Sequence, residues 1–146
     1  MTLVEALIAA TVVAILALGA LVYQYLGATH FRIAHAELTA TRAGQLLIED
    51  WKGSGAPDIE NYDASTLGMG FIKTDPADNS HYIVAVDGIN IHVDLSYEDV
   101  DVDEFANITL RQISTKLQWR KDFGSGEVDA DDPSIILTTY ARKDRD

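Results

Sequence analysis

The chain has 146 residues, 47% of them hydrophobic, which is enough for one packed domain. Its formal charge of −12 repels nucleic-acid phosphates, and its lack of cysteine excludes disulfides, Cys-based zinc sites, thiolate nucleophiles and c-type haem attachment. Of the 23 acids, 19 lie beyond Lys52 with 8 of the 11 bases, so an acidic, soluble body follows an apolar amino-terminal stretch.

The first element is MTLVEALIAATVVAILALGALVYQYL, which carries a single carboxylate, Glu5. From Ala6 to Leu26 no residue is charged, and these 21 residues, as a helix, reach roughly 30 Å, the thickness of a bilayer's hydrocarbon core. No basic n-region precedes the run and no A-x-A pattern follows it, which disfavours a secretory signal peptide. A plain single-pass anchor fits the length but leaves Glu5 without a purpose. Ala6, Ala10, Ala14 and Ala17 form a small-residue stripe that lets helices approach closely in lipid, although alanine also simply favours helix. Tyr23, Tyr25 and Phe31 are expected to pack at the neck of this segment.

Residues 28–52 continue the helical pattern, with Ile33, Ala36, Ala40, Ala43, Leu47 and Trp51 spaced by three or four as one stripe. Gly53-Ser54-Gly55-Ala56-Pro57 then ends the helix. A continuous helix to residue 52 would be about 78 Å long. Residues 1–27 should project as an apolar stalk from a globular domain of residues 28–146.

Residues 58–79 read as a surface connection, with a short strand near Gly70–Lys73. HYIVAV-DG-INIHVDLSY then predicts a hairpin, since Asp87-Gly88 suits a type I′ turn and pairs Val86 with Ile89. This register places Tyr82, Val84, Val86, Ile89, Ile91, Val93, Leu95 and Tyr97 on one face and sets His81 opposite Asp94. A second hairpin is expected from ISTKLQWRK and SIILTTYAR, joined by a polar loop. The prediction is an α+β fold: a four-stranded antiparallel sheet covered by the amphipathic half of the helix.

A terminus reading MTLVEALIA with an acid at position five, an apolar run of about twenty residues, an amphipathic continuation and a later antiparallel sheet resembles a processed type IV pilin or pseudopilin. LQWRK…SIILTTYAR also resembles the last hairpin of minor pilins and pseudopilins. The resemblance covers the chain in outline, and its specific part is residues 1–27. It implies a leader removed by prepilin peptidase, methylation of the new amine at Met1, an inner-membrane stage, and polymerisation by an assembly machinery into an extracellular filament of identical subunits. Met1 stands where the family commonly has Phe, and Val22 where many members have Pro.

Within a bundle of such helices, Glu5 of one subunit would meet the Met1 amine of another, fixing the register of apolar packing. The alternatives are a minor pilin or secretion pseudopilin at a filament tip and, from another class, a membrane-anchored acidic binding module.

The remaining constellations give weaker signals. Acids alternate at Asp99, Asp101 and Asp103, as at the start of a calcium loop, but Glu104 occupies the place of the required glycine. Asp129, Asp131 and Asp132 repeat the suggestion, and solvated acidic loops are the simpler reading of both. Asn107-Ile108-Thr109 matches a glycosylation sequon. No phosphate loop or nucleophile with an attendant base is evident, so the expectation is a non-enzymatic protein with no catalytic residue, cofactor or metal and no nucleic-acid partner.

Overall fold

The computed structural model describes residues 2–68, 70–103 and 108–144. Helix α1 runs from Leu3 to Gly53 without interruption. No Pro falls within it, and it ends at the Gly-rich run, where Gly55 adopts φ 87° and Ala56 φ 48°. Two single-turn 3₁₀ helices follow, Ile59–Asn61 and Ala64–Leu67, and then five strands: β1 (Ile72–Lys73), β2 (His81–Val86), β3 (Ile89–Asp103), β4 (Ile108–Trp119) and β5 (Ser134–Asp144). The sheet is antiparallel, in the order β1-β2-β3-β4-β5. The fold is α+β, and a long apolar helix whose later half packs on an antiparallel sheet is consistent with a pilin-like arrangement.

The chain forms two compact units, Met1–Ala36 and Glu37–Asp146. In the first, every described residue from Thr2 to Ala34 is exposed. In the second, Ala40, Ala43, Leu47 and Trp51 of α1 are buried, as the stripe requires. Ile33, expected in that stripe, instead lies in the first unit and is 41% exposed. Gly44 sits where a Cβ would come within 2.6 Å of Leu117 and 2.7 Å of Leu137, so its missing side chain lets the helix approach β4 and β5 closely.

The β2–β3 hairpin has the predicted register, with Val86 opposite Ile89 and His81 opposite Asp94. Asp87 at φ 52° and Gly88 at φ 78° supply the left-handed pair of a type I′ turn. Tyr82, Val84, Ile89, Ile91, Val93 and Leu95 are buried, as are Ile113, Thr115, Leu117 and Trp119 of β4.

The sheet departs from the expected four strands in two ways. The short strand near Lys73 pairs with β2, Ile72 opposite Ile83, and makes a fifth strand at one border. β3 and β4 also extend well beyond their apolar stretches into one long ladder, with a register shift between Asp99 and Asp101.

Candidate functional site

Two regions gather chemistry: the start of α1 and a polar cleft at the far end of the β3–β4 ladder. At the helix start, Thr2 N–H donates to the Glu5 carboxylate at 2.8 Å, and Glu5 N–H donates to the Thr2 hydroxyl at 3.4 Å. This reciprocal capping box serves amide groups that the first helical turn leaves unpaired. Thr2-Leu3-Val4-Glu5 spells that signature in the sequence, and reading Glu5 only as a partner for Met1 passes it over. Met1 itself, with its expected pairing, processing and methylation, lies outside the described residues.

Ala6, Ala10, Ala14 and Ala17 are all exposed and fall within about 80° of the helix circumference. Around them Leu3, Leu7, Leu16 and Leu21 are 61–81% exposed, and the most apolar 18-residue window has a mean hydropathy of 2.5 with none of it buried. By length and composition this helix can cross a membrane. Its threonine hydroxyls at Thr11 and Thr29 are satisfied by the helix itself, Thr11 donating to Leu7 O at 2.8 Å and Thr29 to Tyr25 O at 3.0 Å. Tyr23, Tyr25 and Phe31 do not pack at a neck as expected: they are 80%, 74% and 73% exposed, and Phe31 stacks with His35 on the same helix.

The cleft, about 320 Å³, is built around Arg111. The Arg111 side chain is 1% exposed, yet it comes from the polar start of β4 rather than from an apolar run. Its Nε donates to Asp99 Oδ1 at 2.6 Å, Nη2 lies 3.0 Å from Asp99 Oδ2 and 2.8 Å from Asp58 Oδ1, and Nη1 donates to Ala56 O at 3.1 Å. The Tyr97 ring lies 4.0 Å from the guanidinium carbon, and Lys143 Nζ donates to Asp58 at 2.9 Å. Burial works against the Arg111 charge, but hydrogen bonds to Asp99 and Asp58 outweigh it and raise its pKa. The Lys143 and Arg111 hydrogen bonds hold Asp58 below the ordinary carboxylate range, and Arg111 does the same for Asp99.

This network ties the segment after α1 to β3, β4 and β5, with the charges of Asp58, Asp99, Arg111 and Lys143 matched against one another. Asp99 therefore serves Arg111 rather than opening a calcium loop; the side chains of Asp101 and Asp103, and Glu104 altogether, lie outside the described residues. Sequence reasoning missed Arg111, Asp58 and Lys143, because lone charges on alternating strands resemble any solvated face.

The other acidic loop folds upon itself. The Asp132 carboxylate accepts from Lys121 N at 3.1 Å and Asp129 N at 2.9 Å, and Gln118 Nε2 donates to Asp129 O. Among the described residues no three His, Asp or Glu side chains are placed to hold a metal ion. Asn107 of the sequon lies outside the described residues.

The structure does bring a serine and a histidine together where none was expected. Ser80 Oγ lies 2.6 Å from His81 Nδ1, and Asp78 Oδ2 lies 2.7 Å from the same nitrogen, while Asp94 is 3.6 Å from Nε2. A nucleophile relay needs a carboxylate hydrogen-bonded to the ring nitrogen opposite the hydroxyl; Asp78 shares Nδ1 with Ser80, and Asp94 at 3.6 Å is beyond hydrogen-bond reach of Nε2, so this cluster stitches β2 to its preceding turn. Compared with protein-family models, curated proteins and solved structures, the chain matches none.

Proposed function

We propose that the chain is a structural subunit of the type IV pilin class, which lodges in a membrane through the first half of α1 and polymerises through that same segment into an extracellular filament. One observation carries this reading: the apolar half of α1 is wholly exposed within the chain and begins with an acid. Lipid suits the apolar surface before assembly, and neighbouring helices would replace lipid after it, with the Ala6–Ala17 stripe at the contact. Glu5, brought into that bundle, would take the Met1 amine of another subunit as counter-charge; stranding either partner there would cost about 3–5 kcal/mol. The sheet domain and its excess of acids would face outward.

Electron microscopy of the purified native protein tests the reading, with helical fibres expected. A protein that stays in the membrane fraction and never forms fibres would favour the anchored binding module. The capping box sharpens the genetic test, because glutamine can replace glutamate in it. Glu5→Gln should keep the helix start and membrane insertion but abolish fibres; normal fibres in that variant would remove the charge from the assembly mechanism. The intact mass of the native protein reads whether Met1 is the mature first residue and carries a methyl group.

A further inference from the structure

We infer that the unassembled helix is pinned at one depth in the bilayer by a tyrosine band, so that Glu5 and its capping box sit in the opposite headgroup layer and not in the hydrocarbon. This rests on the membrane-spanning half of the reading above and not on polymerisation.

Two features of α1 lead to it. First, Tyr23 and Tyr25 are 80% and 74% exposed and project about 160° apart around the helix. One packing partner cannot cover both, whereas a layer that surrounds the helix can, and the membrane–water interface is where tyrosine's apolar ring and polar hydroxyl are both satisfied.

Second, the spacing matches. Glu5 and Tyr25 are twenty residues apart on one continuous helix, about 30 Å, which equals the hydrocarbon thickness. Between them the only polar side chains are Thr11, bonded to Leu7 O, and Gln24 beside the tyrosines. Beyond Tyr25, Thr29, His30 and Arg32 supply polar and basic groups at headgroup depth. Sliding the helix by one turn toward its C-terminal end would sink Glu5 and bare Leu21 and Val22 to water, and sliding it the other way would sink the tyrosine hydroxyls and bare Leu7 and Ile8, so both ends select the same depth. Desolvation of the acid is thereby deferred from insertion to the moment neighbouring helices enclose it.

The absence of cysteine makes the test direct. Full-length single-cysteine variants Leu3→Cys, Thr11→Cys and Thr29→Cys are placed in sealed vesicles of zwitterionic and anionic phospholipid, with a membrane-impermeant maleimide on both faces. Leu3→Cys and Thr29→Cys should label at least tenfold faster than Thr11→Cys, and detergent should erase the difference. Leu3→Cys as slow as Thr11→Cys would place Glu5 in the hydrocarbon and overturn the assignment, as would rapid labelling of Thr11→Cys in intact vesicles. Adding Tyr23→Leu with Tyr25→Leu to Thr29→Cys should slow its labelling at least threefold as the helix sinks; an unchanged rate removes the tyrosines as the pin. Fibres together with a protected Leu3→Cys would sink the depth assignment alone, and the expected labelling without fibres would sink the filament reading alone.

Discussion

Arg111 shows how unequal the two sides of an ion pair can be. Its side chain is 1% exposed, whereas Asp58 and Asp99 are each 40% exposed and can be hydrated if left alone. Arg111→Met should therefore be tolerated, costing about 1–2 kcal/mol by chemical denaturation. Replacing both Asp58 and Asp99 by alanine strands a buried guanidinium and should cost about 3–5 kcal/mol, the larger loss. Acid should act through the same kind of contact. Hydrogen bonding from Lys73 draws Asp63 down to about 2, and Ser80, with help from His81, draws Asp78 down to about 2; Asp58 and Asp99 are lowered by their cations. A carboxylate lowered in the folded state contributes stability fully above its unfolded pKa, about 3.9, and loses it as pH falls through the folded value. The urea midpoint should drop as pH falls from about 4 to about 2, and Asp63→Asn should make that descent shallower.

At the scale of elements, the helix–sheet contact depends on an absent side chain. Gly44→Ala would press a methyl group against Leu117 and Leu137 and should cost about 1–3 kcal/mol in urea unfolding, although alanine is the better helix former. Much of this architecture was legible in the sequence, because two strong periodicities and one turn pair fix it. The Asp87-Gly88 turn sets every pairing between β2 and β3, and the three-and-four spacing from Ala36 to Trp51 sets the covered helix face. β1 was faint because two residues cannot show a period. The far half of the β3–β4 ladder was hidden because its inward residues there, Asp99, Thr109 and Arg111, are polar, and Asp99 and Arg111 are held by partners distant in sequence. The T-x-x-E box stood in plain sight but was overshadowed by the demand for an intermolecular partner.

Among the described residues, buried apolar side chains concentrate in the second unit, and only Ala36 of them belongs to the first. A chain of residues 37–146 should fold with a cooperative calorimetric transition and sediment as a monomer, since the exposed apolar helix half is the surface that demands company. β5, with no strand beyond it among the described residues, gives that domain one raw border. From Ile135 to Tyr140 the strand holds neither charge nor proline, and Ile136 is 64% exposed. Such a border is a template for amyloid-type stacking when the protein is hot or crowded. A gatekeeper change, Ile136→Lys, should reduce the turbidity that develops on prolonged heating while leaving the melting temperature nearly unchanged.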